Sequence, residues 1–251
     1  MRQIKTAAVV LDSRDLFDTD RTYLLFTEEL GKLWGRARGV RKTTSRLGGN
    51  LLPFLPTQIE LVPSGDSFLI VQASLIPGPN KSAPYPQDAL PYLQTAQMIA
   101  EVMNGLFIDH VAQPEAYAGL VYTLERIKEN PSPLLPIEFF WKCLNLLGVR
   151  PELEQCVLSG EAIQDEPLAW NSQLGGVIRQ ALLPSEPPPQ TILLQNPRSV
   201  IALRQLLRPQ FVSQKLAMSN EIQEEVIRLV LDFLQTQMGK PLKTLLFWHT
   251  P

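Results

Sequence analysis

This sequence predicts an α+β protein in two parts, a five-stranded barrel followed by an α-helical domain. Three observations carry that expectation. The first ~80 residues alternate apolar and polar positions at the period of strands. A proline-rich linker follows, and beyond it the apolar period becomes about 3.6, that of helices. Apolar residues make up 45% of the chain and charged residues 19%, enough to build a packed core and too apolar for global disorder.

Thr6-Ala7-Ala8-Val9-Val10-Leu11 is a short apolar β-type run, and Thr22 to Thr27 alternates around Leu24 and Phe26. Glu29-Leu30-Gly31-Lys32 is a tight connection, with Gly31 able to take positive φ. Leu33 to Val40 is the next strand, and Arg41 to Asn50 is a polar, glycine-containing loop. Gln58 to Val62 and Ser67 to Leu75 pair across Pro63-Ser64-Gly65-Asp66. Five strands in about 75 residues is the count of an OB-fold or an SH3-like barrel. Closure is expected because an open sheet this small would expose its edges.

Pro77 to Ser82 and Pro84-Tyr85-Pro86 form the linker. Leu93, Ala96, Ala100, Met103 and Phe107 share one helical face, and Leu120, Leu124 and Ile127 mark a second helix opened near Pro114. Ile137 to Leu147, with Pro136 in its first turn and Gly148 at its end, is apolar nearly all round and predicts the centre of a second core. Asn196-Pro197 opens another helix. The longest starts near Ser219 and stops at Gly239 and Pro241. The expected division is therefore residues 1–79 and 80–251, with 152–195 an irregular insertion.

The charge pattern points to a ligand. The formal net charge is only -2, yet no acidic residue lies between Glu29 and Glu60, while Lys32, Arg36, Arg38, Arg41, Lys42 and Arg46 do. Alternation along the third strand sends Leu33, Gly35, Ala37 and Gly39 to one face and Lys32, Trp34, Arg36, Arg38 and Val40 to the other. The small set suits a narrow barrel interior, which leaves a basic face with Trp34 outside. Such a face fits nucleic acid: cations for phosphates, Trp34 for stacking on a base. No residue there reads a base sequence. Alternative roles are a solvated loop and, for Trp34, packing against the helical domain.

Catalytic constellations are weak. His110 and His249 are the two histidines, and neither has a partner evident in sequence. Gly31-Lys32 and Gly239-Lys240 lack the spacing of a phosphate-binding loop. Glu28-Glu29 and Glu224-Glu225 are adjacent pairs whose side chains diverge. Two cysteines, Cys143 and Cys156, fit a reducing compartment. Without the apolar run of a signal peptide or a membrane span, a soluble, cytoplasmic protein that is not an enzyme is expected.

Several ordered segments resemble the RecO family of bacterial DNA-repair and recombination mediators. They are Arg2-Gln3-Ile4-Lys5-Thr6, Asp18 to Arg21, Leu25 to Lys32, Gly39-Val40-Arg41-Lys42, Ser45 to Leu51, Leu146-Leu147-Gly148, Pro151-Glu152-Leu153, Cys156 and Gly239 to Thr244. The resemblance implies an N-terminal OB-fold, a helical C-terminal domain and a zinc-binding insertion. It implies binding of single- and double-stranded DNA, annealing of complementary strands without ATP, and nucleoid association. It also implies partnership with RecR in loading RecA onto DNA coated with single-strand-binding protein. At the implied zinc ligands only Cys156 is a cysteine; Ser159, Arg179 and Leu182 stand at the others. A degenerate, zinc-less insertion packed through Leu168 and Trp170 is expected, with no cofactor. The alternative function is a protein-interaction scaffold in repair whose DNA binding is incidental.

Overall fold

The computed structural model describes residues 3–65, 67–77 and 84–248. Much of the linker (78–83), Asp66 of the fourth turn, Arg2 and His249 lie outside the described residues. Strands β1 (Ile4–Leu16), β2 (Asp20–Thr27), β3 (Gly31–Ala37), β4 (Pro56–Ser64) and β5 (Ser67–Leu75) form a closed barrel in the order β1-β2-β3-β5-β4. All neighbours are antiparallel except β3 and β5, which pair in parallel at Gly35–Phe68 and Arg36–Leu69. The barrel is OB-like.

Closure depends on β1. Its first half pairs with β4, from Ile4–Leu61 to Val9–Pro56. From Ala8–Thr27 onward β1 pairs with β2, as far as Leu16–Asp20, so Ala8 and Val9 pair on both edges. A register irregularity between Val10 and Asp12 interrupts the β2 pairing, and such an extra residue bends a strand. The strand therefore runs five residues past the apolar run seen in sequence. Residues 12–16 form a solvated hairpin arm, where no buried face imposes alternation.

The interior is filled by Ala8, Val10, Tyr23, Leu25, Leu33, Ala37, Ile59, Leu61, Ile70 and Ala73. It is tight: a Cβ on Gly35 would meet Ile70 Cγ1 at 2.9 Å. The inward set Leu33, Gly35 and Ala37 follows the predicted alternation. That alternation ends at Ala37, where β3 stops. Gly39 (φ +61) then belongs to a turn, and Val40, expected outside, is buried in the barrel core.

The chain divides into two compact units, residues 1–131 with 242–250, and residues 132–241. The compact boundary thus falls later than the change of period at residue 79. Helices α1 (Ala89–Leu106) and α2 (Pro114–Glu129) belong to the barrel's unit. The Tyr92 hydroxyl donates to the Phe54 carbonyl at 3.1 Å, and Phe107 meets Phe26 edge-on with centroids 5.1 Å apart. The C-terminal segment returns to α1, where Glu101 accepts the N–H groups of Lys243 (3.0 Å) and Thr244 (2.9 Å). This gives Lys243-Thr244 a structural role.

In the second unit, α3 (Leu134–Leu146) is central, as its apolar surface predicts. Trp141 packs against Trp170 and Phe233, the latter on α5 (Asn220–Met238), and its indole N–H donates to the Leu203 carbonyl on α4 (Arg198–Leu206). Buried Glu138 accepts from the N–H groups of Val212 and Ser213, and Lys142 Nζ lies 3.5 Å away. Glu225 serves the start of α4, accepting from Gln195 N, Asn196 N and Ser199 Oγ. The stretch expected to be irregular contains a small antiparallel sheet, ordered β7 (Gly176–Arg179), β6 (Leu168–Asn171), β8 (Ile192–Leu193). Strands of four, four and two residues are too short for a period to show in sequence.

Gly31 is the backbone position with least latitude. Its φ is +68, and a Cβ there would lie 2.0 Å from the Val111 carbonyl oxygen. Gly31→Ala is expected to destabilise the protein by about 2 kcal/mol or more, since strain and clash add. At Gly65 (φ +62) a Cβ meets nothing within 4 Å, so the same change should cost about 1 kcal/mol. Urea unfolding of both variants checks the difference; equal costs would show that the Gly31–Val111 approach is not rigid.

Candidate nucleic-acid interface

The predicted basic face is graded along β3 from covered to open. Lys32 points out of the barrel as alternation requires, but it is not open to a ligand. Its Nζ donates to the Asn104 carbonyl (2.7 Å) and Oδ1 (3.2 Å) on α1, and pairs with Asp109 at 3.1 Å. Its carbonyl accepts the His110 N–H at 2.8 Å, so the α1–α2 loop lies against this end of β3. Only 7% of Lys32 is exposed. Its inclusion among open cations is corrected accordingly: sequence alternation gives the side of a strand, not what covers that side.

Trp34 comes next and is half-buried, with the Arg14 guanidinium 4.9 Å from its ring centroid. Arg36 follows, bound to Asp20 through Nε (3.0 Å) and Nη2 (2.5 Å). Beyond the strand Arg38, Arg41, Lys42 and Arg46 are all exposed. Arg41 lies 3.4 Å from Asp15 and donates weakly to the Phe17 carbonyl. No carboxylate among the described residues pairs with Arg38, Lys42 or Arg46. Consecutive turns (Lys42 N–H to Gly39 O, Ser45 N–H to Lys42 O) hold the loop that carries them.

The acid-free stretch of sequence is not acid-free in space. The β1–β2 hairpin brings Asp12, Asp15, Asp18 and Asp20 to the same region, and three of them are paired: Asp12 with Arg14, Asp15 with Arg21 and Arg41, Asp20 with Arg36. Asp20 is the hub. It accepts the Gly39 N–H at 2.8 Å and the Thr19 hydroxyl at 3.1 Å besides the Arg36 guanidinium. The Gly39 N–H foremost, then Arg36, holds its carboxyl down at about 2. Asp15 is also lowered, chiefly by its bond to Arg21. These aspartates lie 12 or more residues before the basic segment, so the charge pattern of that segment does not include them. Their signal is a β-hairpin whose turn, Leu16-Phe17-Asp18-Thr19-Asp20, is short enough to fold back on β3.

Comparison with known proteins gives this arrangement a lineage. Residues 1–78 match the family described as Recombination protein O N terminal, and residues 88–246 the one described as Recombination protein O C terminal. The chain belongs to the RecO family. It is 31% identical over 189 residues to the DNA repair protein RecO of Desulforudis audaxviator, covering 75% of this chain and 74% of that one. Against the same-named proteins of Desulforamulus reducens and Salinibacter ruber identity is 27% in each case. The matches span 245 residues (97% and 93% of the two chains) and 242 residues (93% and 88%). Family membership places the chain in DNA repair and recombination. Among the described residues no helix is long and apolar enough to cross a membrane.

The zinc that the family resemblance implies does not fit these residues. Cys156 is buried against Ala169 and Ile178, and its sulfur accepts the Arg179 N–H at 3.4 Å. Burial pushes the thiol up; the N–H groups of Arg179, Leu158 and Ser159 outweigh that and leave it below its ordinary value. Arg179 occupies a second ligand position, with its guanidinium paired to Glu166 at 2.8 Å and to Glu161. Leu182 is 42% exposed. One thiol and one guanidinium are no donor set for a closed zinc site, which needs four ligands. Leu168 and Trp170 are both buried; Trp170 packs into the aromatic cluster with Trp141 and Phe233, while Cys156, Ala169 and Ile178 form the insertion's own small core.

Two outcomes are expected. Because the Asp20 pKa in the folded state lies below its ordinary 3.8, its contribution to stability is full above about pH 4 and is lost as pH falls through about 2. Asp20→Asn should therefore unfold at lower urea than the parent at pH 7, with the gap closing toward pH 2; a pH-independent gap would remove the charge from the account. For the insertion, chelator should leave the thermal midpoint unchanged, while Arg179→Ala lowers it. A chelator-sensitive midpoint would restore a metal.

Proposed function

We propose that this protein is a recombination mediator that works by binding DNA on the outer face of its barrel, without covalent chemistry. The observation that carries this is the exposed series Arg38, Arg41, Lys42 and Arg46, three of them without a carboxylate partner among the described residues. Cations so placed neutralise phosphates of single- or double-stranded DNA and release counterions. By screening strand from strand they promote annealing of complementary DNA, which requires no ATP. Family membership supports the wider role: cooperation with RecR in loading RecA on DNA coated by single-strand-binding protein, in the cytoplasm at the nucleoid. Arg36 is a lesser contributor, because Asp20 already satisfies its guanidinium.

The scaffold alternative draws on exposed apolar residues at the end of the described chain, Leu246 (78%) and Phe247 (64%). It predicts that repair function survives loss of DNA binding.

Replacing Arg38, Arg41 and Lys42 together by Ala should weaken DNA binding and flatten the plot of log K against log salt by about 2–3 units. Lys32→Met, in contrast, should leave that slope unchanged and cost about 1–3 kcal/mol of stability, because it strands Asp109 and the Asn104 carbonyl. Fluorescence titrations at several salt concentrations separate the two. A slope that responds to Lys32 and not to the triple change would move the site. Mixing complementary labelled strands with and without ATP tests the annealing activity directly.

A further inference from the structure

Phe17 is the most exposed phenylalanine, tyrosine or tryptophan among the described residues, and it sits against Arg36 and Arg41. It occupies the β1–β2 turn with 73% of its surface exposed. Its φ is +57, a backbone region that non-glycine residues seldom adopt. The Arg36 guanidinium carbon lies 5.5 Å from its ring centroid, and Arg36 is itself fixed by two bonds to Asp20. The Arg41 side chain reaches the Phe17 carbonyl, and the Arg41 N–H bonds to Thr19 O at 3.0 Å. One region of the ring therefore rests against a positioned guanidinium, and 73% of the residue faces solvent, with the Arg41 side chain at its carbonyl.

We propose that Phe17 is a base-stacking platform that makes unpaired, single-stranded nucleic acid the favoured ligand of this face; this rests on the nucleic-acid reading given above. A ring held at a turn tip next to a phosphate-neutralising cation, Arg41, can take the face of a base whose own neighbour has left it. Bases inside a duplex are already stacked on each other and offer no such face. A phenyl ring has no donor or acceptor, so it takes any base and confers no sequence preference. Arg36, over one face of the ring and bound to Asp20, backs the ring and leaves the other face for a base. Trp34, the aromatic first indicated by sequence, is less suited because it is half-buried, whereas Phe17 is open to solvent.

The test compares a single-stranded oligothymidylate with a duplex of equal length, using the full chain. Phe17→Ala should weaken single-strand binding about 5- to 100-fold, the range that loss of one stacked base produces. Duplex binding should change by less than about 2-fold, and the salt slope should stay that of the parent, since no phosphate contact is lost. Phe17→Tyr should retain the parent's preference and Phe17→Leu should lose it, which separates an aromatic face from mere bulk. Thermal midpoints of all variants check that the barrel is intact. In an oligonucleotide carrying 2-aminopurine, the parent should quench the probe and Phe17→Ala should not. Unchanged single-strand affinity, or an equal loss on duplex, overturns the stacking role. The nucleic-acid reading survives either result and falls only if the triple change at Arg38, Arg41 and Lys42 leaves binding untouched.

Discussion

β1 pairs with β4 from Ile4 and with β2 from Ala8, so that it joins both edges and five strands close around an interior too narrow for a side chain at Gly35. Much else follows from that closure. Only small or well-fitted apolar side chains point inward on β3, so its long polar ones are forced outside. The hairpin arm of β1 and β2 extends past the barrel and folds against the turn after β3. Closure thus decides both the core and the position of the charged groups.

Those groups are balanced more closely than the sequence indicates. Exposed ion pairs are screened by solvent and contribute little, so Asp12 with Arg14 and Asp15 with Arg41 are weak constraints. Asp20 differs because it also accepts a backbone N–H from Gly39, and charge-assisted bonds of that kind are stronger. It ties the start of β2 to the end of β3 and to the turn that presents Arg38 and Arg41. Internal pairing fixes Arg36, while Arg38, Lys42 and Arg46 keep their charge available. The same division operates in the second unit: Arg179 is committed to Glu161 and Glu166, and the insertion is held by that pairing and by apolar packing around Cys156.

The sequence by itself determined the elements whose residues record a buried face. The barrel strands, the inward set Leu33, Gly35 and Ala37, the five helices, and the Ser219 and Gly239 ends of α5 were all legible because burial and capping impose their own periods and residue types. The short strands of the insertion were not, since two to four residues cannot display a period. Tertiary structure alone decided which basic residues remain open. Alternation in sequence puts Lys32 and Arg38 on the same side of one segment, yet α1 covers the first, and the second lies past the end of β3 in solvent. It also brought the hairpin aspartates and Phe17 to the basic turn from about 20 residues away. A linear charge pattern records composition, whereas electrostatic pairing and access depend on distances of a few ångströms that only the folded chain defines.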